Sequence, residues 1–150
     1  MTKLRRFVRN TEGAYLVEFA VSAPLFFLLM FFMIQSALML WALVGLQHGA
    51  EAAARCASVS DLAIVQGKQN PPTPCYAVNG NATANMATVK TYAAANSFGF
   101  NPPASTFTVS FNAGSCPNGN LVTASYPFTA IRYMGSVTIT VSSCYPSVAT

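Results

Sequence analysis

The fold depends first on one long uncharged stretch, residues 19–46, which reads FAVSAPLFFLLMFFMIQSALMLWALVGL. No residue from Phe19 to Ala50 is charged at neutral pH. Because about 20 apolar residues in a helix cross the hydrocarbon core of a bilayer, this stretch predicts a membrane-spanning helix. The hydrophobic region of a cleaved secretory signal would be about half as long, roughly 7–15 residues.

The charges that flank this helix predict its orientation. Four basic residues lie within the first ten positions: Lys3, Arg5, Arg6 and Arg9. The positive-inside rule therefore places residues 1–13 in the cytoplasm and the residues after the helix on the far side of the membrane. Trp41 follows Phe19 by a helical length of roughly 33 Å, at 1.5 Å per residue. Its ring is expected either at the far membrane interface or against a neighbouring helix.

The overall composition argues against a nucleic-acid-binding protein and against an enzyme. Charged residues make up 8% of the chain and hydrophobic residues 53%. The remaining basic residues are too sparse for a phosphate-binding face. Beyond the helix the sequence has no histidine, and Asp61 is its only carboxylate, so no serine or cysteine has a base to activate it. We expect no catalysis, no cofactor and no metal site.

The four cysteines predict disulfide bonds. Cys56, Cys75, Cys116 and Cys144 all follow the membrane segment, where an oxidising compartment allows pairing. No Cys-x-x-Cys is present, so a zinc site is not expected. Cys56 and Cys75 enclose a short segment, while the other two cysteines flank the last two strands. The sequence therefore favours Cys56–Cys75 and Cys116–Cys144 over the two other connectivities.

The remainder predicts a small α+β domain. The first helix should continue to about Val59, and its small residues (Gly49, Ala50, Ala52, Ala53 and Ala54) reflect either a close approach of other backbone or plain helix propensity. A Pro-rich loop follows, then a helix from Ala82 to Phe98 with Gly99 as its stop. Alternating residues predict three strands in an antiparallel sheet, near residues 106–111, 122–128 and 137–142. The expected organisation is a leader (1–13), a transmembrane and extended helix (14–59) and a disulfide-bonded domain (60–150).

Residues 130–135, AIRYMG, connect two predicted strands with unusually apolar side chains. They are expected either to contact a subunit or the membrane, or to fold onto their own domain.

Residues 5–26, RRFVRNTEGAYLVEFAVSAPLF, place a basic arm ending at Gly13 before Glu18, Phe19 and Ala20, with Pro24 downstream. Residues 50–57, AEAAARCA, follow the membrane segment. This combination resembles the TadE-like family of the Tad pilus, a branch of the type IV prepilins. The resemblance covers about Gly13 to Cys56.

The resemblance implies roles for particular residues. A membrane aspartic peptidase, the prepilin peptidase, would cut the Gly13–Ala14 bond and leave Glu18 as the fifth residue of the mature chain. Glu18 would then pair with the new ammonium of a neighbouring subunit. Without the family, a carboxylate near a helix start gains only about 0.3–1 kcal/mol from the macrodipole. Phe19 belongs to the same assembly motif, and Pro24 is either a bend suited to packed helices or a tolerated kink.

The function implied is that of a minor pilin or pseudopilin, because Tad major pilins are much shorter chains. Its partners would be other Tad pilins and minor pilins, the prepilin peptidase and the pilus platform proteins. The alternative is a single-pass anchor that is never cut and presents a binding or adhesive domain.

Overall fold

The computed structural model describes residues 12–65, 75, 82–129 and 136–146. Its elements are helix α1 (Glu12–Val65), helix α2 (Ala82–Asn96), a 3₁₀ turn (Ala104–Thr106) and strands β1 (Phe107–Phe111), β2 (Gly119–Phe128) and β3 (Val137–Pro146). The predicted α+β class is therefore confirmed. The chain divides into two compact units, Met1–Leu38 and Met39–Thr150.

In the first unit, residues 12–38 belong to α1, and from Phe19 onward they include no charged residue and are mostly apolar. Most of the side chains described there are exposed, including Leu25, Phe31 and Met33. A helix that is apolar all round is stable only inside a protein core or a membrane. Tyr15–Ser60 of α1 is long and apolar enough to cross a membrane, which indicates a single-pass membrane anchor.

In the second unit, one face of α1 enters a hydrophobic core. Residues spaced three or four apart are buried on this face: Leu46, Ala50, Ala53, Ala54 and Ala57. They share the core with inward residues of the sheet, Phe107, Val122, Ala124, Ile139 and Val141. The helix ends at Val65 rather than near Val59.

The three strands form an antiparallel sheet in the order β1-β2-β3, as the sequence predicts. Val122 and Ala124 face the core, whereas Ser125 is exposed. Ala124 lies opposite Phe107 on one side and Val141 on the other, so buried residues meet buried residues across all three strands. The period-2 alternation thus fixes both the buried face and the strand register.

Two glycines of α1 allow the chain around the end of α2 to approach closely. A Cβ on Gly45 would overlap the carbonyl oxygen of Phe98, and a Cβ on Gly49 would lie 2.6 Å from the carbonyl oxygen of Ala93. The small residues of α1 therefore serve close packing. The sequence prediction included Gly49 but missed Gly45.

Helix α2 ends at Asn96, before the expected Phe98. Ser97 Oγ donates to the carbonyl of Ala93 at 2.9 Å, and Gly99 takes a φ of +87° that favours glycine after a helix. Val89 and Ala93 are buried as expected, but Met86 is 37% exposed. The expectations for the 1–11 leader, for the Pro-rich loop except Cys75, and for residues 130–135 lie outside the described residues.

The close approach at Gly45 gives a stability prediction. Gly45→Ala gains about 1 kcal/mol of helix propensity, but overpacking costs about 1–3 kcal/mol. Because the overlap is with a backbone oxygen, we expect a net loss of stability, measured by thermal unfolding of the detergent-solubilised chain. Val59→Ala, at an exposed position of the same helix, is the control and should unfold close to the wild-type temperature. Stabilisation by Gly45→Ala would show that this approach is not close.

Candidate functional site at the start of the first helix

The predicted processing site lies in the first turn of α1. The helix begins at Glu12, so Gly13 and Ala14 are its second and third residues. The first four N–H groups of a helix have no partner within the helix. Gly13 is exposed, and among the described residues no atom lies within 4 Å of a Cβ built on it.

Glu18 and Phe19 follow in the next turn, and both side chains are exposed. Ser22 lies four residues after Glu18, on the same helix face, and its Oγ donates to the carbonyl of Phe19 at 3.4 Å. This face thus carries a carboxylate and a hydroxyl at the edge of an apolar helix. Ionisable groups within a membrane boundary are costly and tend to be functional.

Pro24 lies inside α1, which continues through it without a break. Proline has no N–H, so the carbonyl of Ala20 lacks its usual donor. Membrane helices tolerate such a position more readily than soluble helices do. Gly13, Glu18, Phe19 and Pro24 therefore lie along one exposed segment of helix and are not gathered into a pocket.

The four cysteines form two disulfides, and these are the pairs that the sequence favours. Cys56 of α1 is bonded to Cys75, with Cα atoms 5.8 Å apart. Cys116, in the connection between β1 and β2, is bonded to Cys144 of β3, with Cα atoms 5.6 Å apart. The sequence separations of 19 and 28 between the paired cysteines correspond to about 3 kcal/mol of chain-entropy stabilisation for each disulfide.

A buried polar contact that sequence reasoning missed joins α1 to the sheet. Ser58 Oγ donates to the carbonyl of Tyr145 at 3.0 Å, and Asn120 Nδ2 donates to Ser58 Oγ at 3.3 Å. Ser58 and Asn120 are both buried, and the Arg55 guanidinium lies 5.7 Å from the centre of the Tyr145 ring. The sequence feature that could have indicated this contact is Asn120, a polar residue at a position of β2 that faces the core.

The only histidine holds the end of α2. Its Nδ1 lies 3.0 Å from the carbonyl oxygen of Asn96, which can only accept, so this nitrogen donates. The ring also lies 5.5 Å from that of Phe98. His48 therefore has a packing role. Within the described ranges, no three His, Cys, Asp or Glu side chains are grouped to hold a metal ion.

A long apolar helix that continues into a small disulfide-bonded α+β domain is the arrangement of a single-pass membrane anchor. Residues 13–55 match the family model described as TadE-like protein, which confirms the predicted resemblance over that segment. The TadE-like family is associated with the Tad pilus and is structural rather than enzymatic. No curated protein and no solved structure matches the chain.

The Ser58 contact gives a second stability prediction. Ser58→Ala removes a donor and an acceptor and leaves the Tyr145 carbonyl without that hydrogen bond. Loss of a partner to buried polar groups costs about 1–3 kcal/mol, so the midpoint of denaturant unfolding should fall. Ser125→Ala, on the exposed face of β2, is the matched control and should have little effect. Equal midpoints for both variants would show that the contact contributes no stability.

Proposed function

We propose that this protein is a minor pilin or pseudopilin of a Tad pilus, with a role in pilus assembly, priming or tip structure. The observation that carries the proposal is the extent of the family match, which begins at Gly13 and runs along α1 to Arg55. The matched segment thus starts where a prepilin peptidase would cut and includes the whole uncharged helix. The domain that follows the match would give the subunit its particular role.

Cleavage between Gly13 and Ala14 would change the chemistry of the helix start. It would remove the basic arm and create an α-amino group at Ala14, which is positively charged at neutral pH. Glu18 would then be the fifth residue of the mature chain. The new ammonium and this carboxylate would be the only charges of the mature chain before Glu51.

Glu18 would pair with the Ala14 ammonium of an adjacent subunit. Both groups would lie at the edge of lipid, where an unpaired charge is costly. Pairing offsets that cost, and it also fixes the stagger of neighbouring helices because the groups must meet. Phe19 and Pro24 would contribute to helix packing, Phe19 through its exposed ring and Pro24 through a bend.

The proposed function also implies where the subunit is located and which proteins it contacts. Before assembly the subunit would reside in the inner membrane, with residues 1–13 in the cytoplasm. Helix α1 would cross the membrane and extend to Val65, and the domain that follows would lie in the periplasm. Its partners would be other Tad pilins, the prepilin peptidase and the platform proteins. The two disulfides support placement of the domain in an oxidising compartment.

Glu18→Gln tests the role of the carboxylate. Glutamine keeps the size of the side chain and enters a membrane at least as easily, so insertion and cleavage should be normal. Loss of the pair should reduce pili at least about tenfold, because 1.4 kcal/mol corresponds to one decade and breaking such a pair costs more than that. Pili are counted by electron microscopy in cells that lack the native gene copy.

Glu51→Gln is the matched control, since it removes a charge from an exposed position where the carboxylate accepts a hydrogen bond from Gln47. This variant should assemble normally. Normal pilus numbers in Glu18→Gln cells would refute the pairing. They would favour the alternative of a permanent anchor that presents a binding domain.

A further inference from the structure

We propose that the protein makes a second membrane contact, in which the turn after α2 lies beside Trp41 on the outer interface of a phospholipid bilayer. The contact surface, called here the interfacial patch, consists of Trp41, Val44, Phe98 and Gly99. This proposal goes beyond the proposed function, because it concerns lipid and does not require a pilus.

The turn is held at one level of α1 by two close approaches. Gly99 has a φ of +87°, and a Cβ built on it would lie only 2.8 Å from the indole Nε1 of Trp41. The carbonyl of Phe98 occupies the space that a side chain on Gly45 would need. No other residue type at Gly99 would allow this contact without strain. The position of the turn next to residues 41–45 is therefore built into the fold.

The patch presents large apolar side chains outside the core. Trp41 is 57% exposed, Val44 is 53% exposed and Phe98 is 42% exposed. Each exposed apolar surface costs free energy in water, and a contiguous group of them marks an interaction surface. The ring of His48 packs against the Phe98 ring. This contact helps to hold the partly exposed Phe98 ring in place.

Charge and continuity favour lipid as the occupant. The sequence from Phe19 to Ala50 has no charged residue, and neither do residues 97–103, SFGFNPP. Along the sequence, therefore, no charged residue separates Trp41 and Val44 of the patch from the membrane-spanning segment. Trp41 stands roughly 33 Å along the helix from Phe19, at 1.5 Å per residue, where an amphipathic indole is favoured at the interface.

Polar groups begin directly beyond the patch. Hydrogen-bonded polar side chains follow the patch along α1 and precede it on α2: Gln47, His48 and Asn96. This order, apolar first and polar after it, matches the change from acyl chains to headgroups and water. Because the patch has no basic residue, the contact should form on zwitterionic phosphatidylcholine and not require anionic lipid.

The single tryptophan of the chain makes the proposal measurable. The full chain is reconstituted in phosphatidylcholine vesicles with and without a lipid that carries a nitroxide on its headgroup, a contact quencher of tryptophan. Native Trp41 is measured first. Phe98→Trp in a Trp41→Phe background then reports on the turn. Both tryptophans should lose emission with the nitroxide lipid and be shielded from aqueous iodide.

Phe111→Trp in the same background is the matched control. Phe111 is 53% exposed and lies opposite Asn120, which contacts Ser58. Ser58 follows Gly45 by a helical length of roughly 20 Å, at 1.5 Å per residue. A tryptophan at 111 should therefore be quenched by iodide and not by the nitroxide lipid.

Two results would overturn the proposal. A tryptophan at 98 that is open to iodide and unaffected by the nitroxide lipid would place the turn in water. A tryptophan shielded from both would place it against protein, such as a second copy of the chain. Should Phe98→Trp fail to fold, Asn101→Trp replaces it, because Asn101 is an exposed residue of the same turn. The same criteria apply, and pilus assembly affects none of them.

Discussion

The absence of charge between Phe19 and Ala50 is the constraint on which the rest of the structure depends. A backbone in lipid must satisfy its own hydrogen bonds, and a single segment can do so only as a helix. The segment therefore forms part of one long helix, Glu12–Val65. Where other parts pack against it, they adapt to an element whose conformation the membrane already requires.

The domain adapts through small residues. Gly45 and Gly49 admit the backbone at the end of α2, while Ala50, Ala53 and Ala54 admit the sheet. Such a face provides little side-chain area, so hydrophobic burial by the helix itself is modest. The disulfide at Cys56 and the buried Ser58 contact compensate by fixing the same stretch of helix to the domain covalently and through hydrogen bonds.

Much of this fold could be predicted because its signals are local. The long apolar run, the strand alternation and the Pro and Gly breaks depend on neighbouring residues, and the predicted elements therefore matched closely. The helix end was less predictable, because residues 60–65 continue α1 in a sequence without a strong stop signal. The Ser58–Asn120–Tyr145 contact and the Trp41–Gly99 contact join residues far apart in sequence, so only the tertiary structure could reveal them.

For the candidate site, the sequence indicated the residues and the structure adds less. Gly13, Glu18 and Phe19 were found by their spacing and context, and the structure adds that they are exposed along the start of a helix. Glu18 is exposed on the helix surface, so the role proposed for it requires a partner molecule that contributes the opposite charge. In the proposed pairing, the α-amino group of Ala14 of a neighbouring subunit would supply that charge, and it would exist only after cleavage.

The most direct test of the account is therefore the intact mass of the protein purified from cells that contain the complete Tad machinery. We expect a mature chain that begins at Ala14, with both disulfides intact, and an uncut chain in cells that lack the prepilin peptidase. An uncut chain in both strains would contradict the account and leave the protein as a permanent membrane anchor.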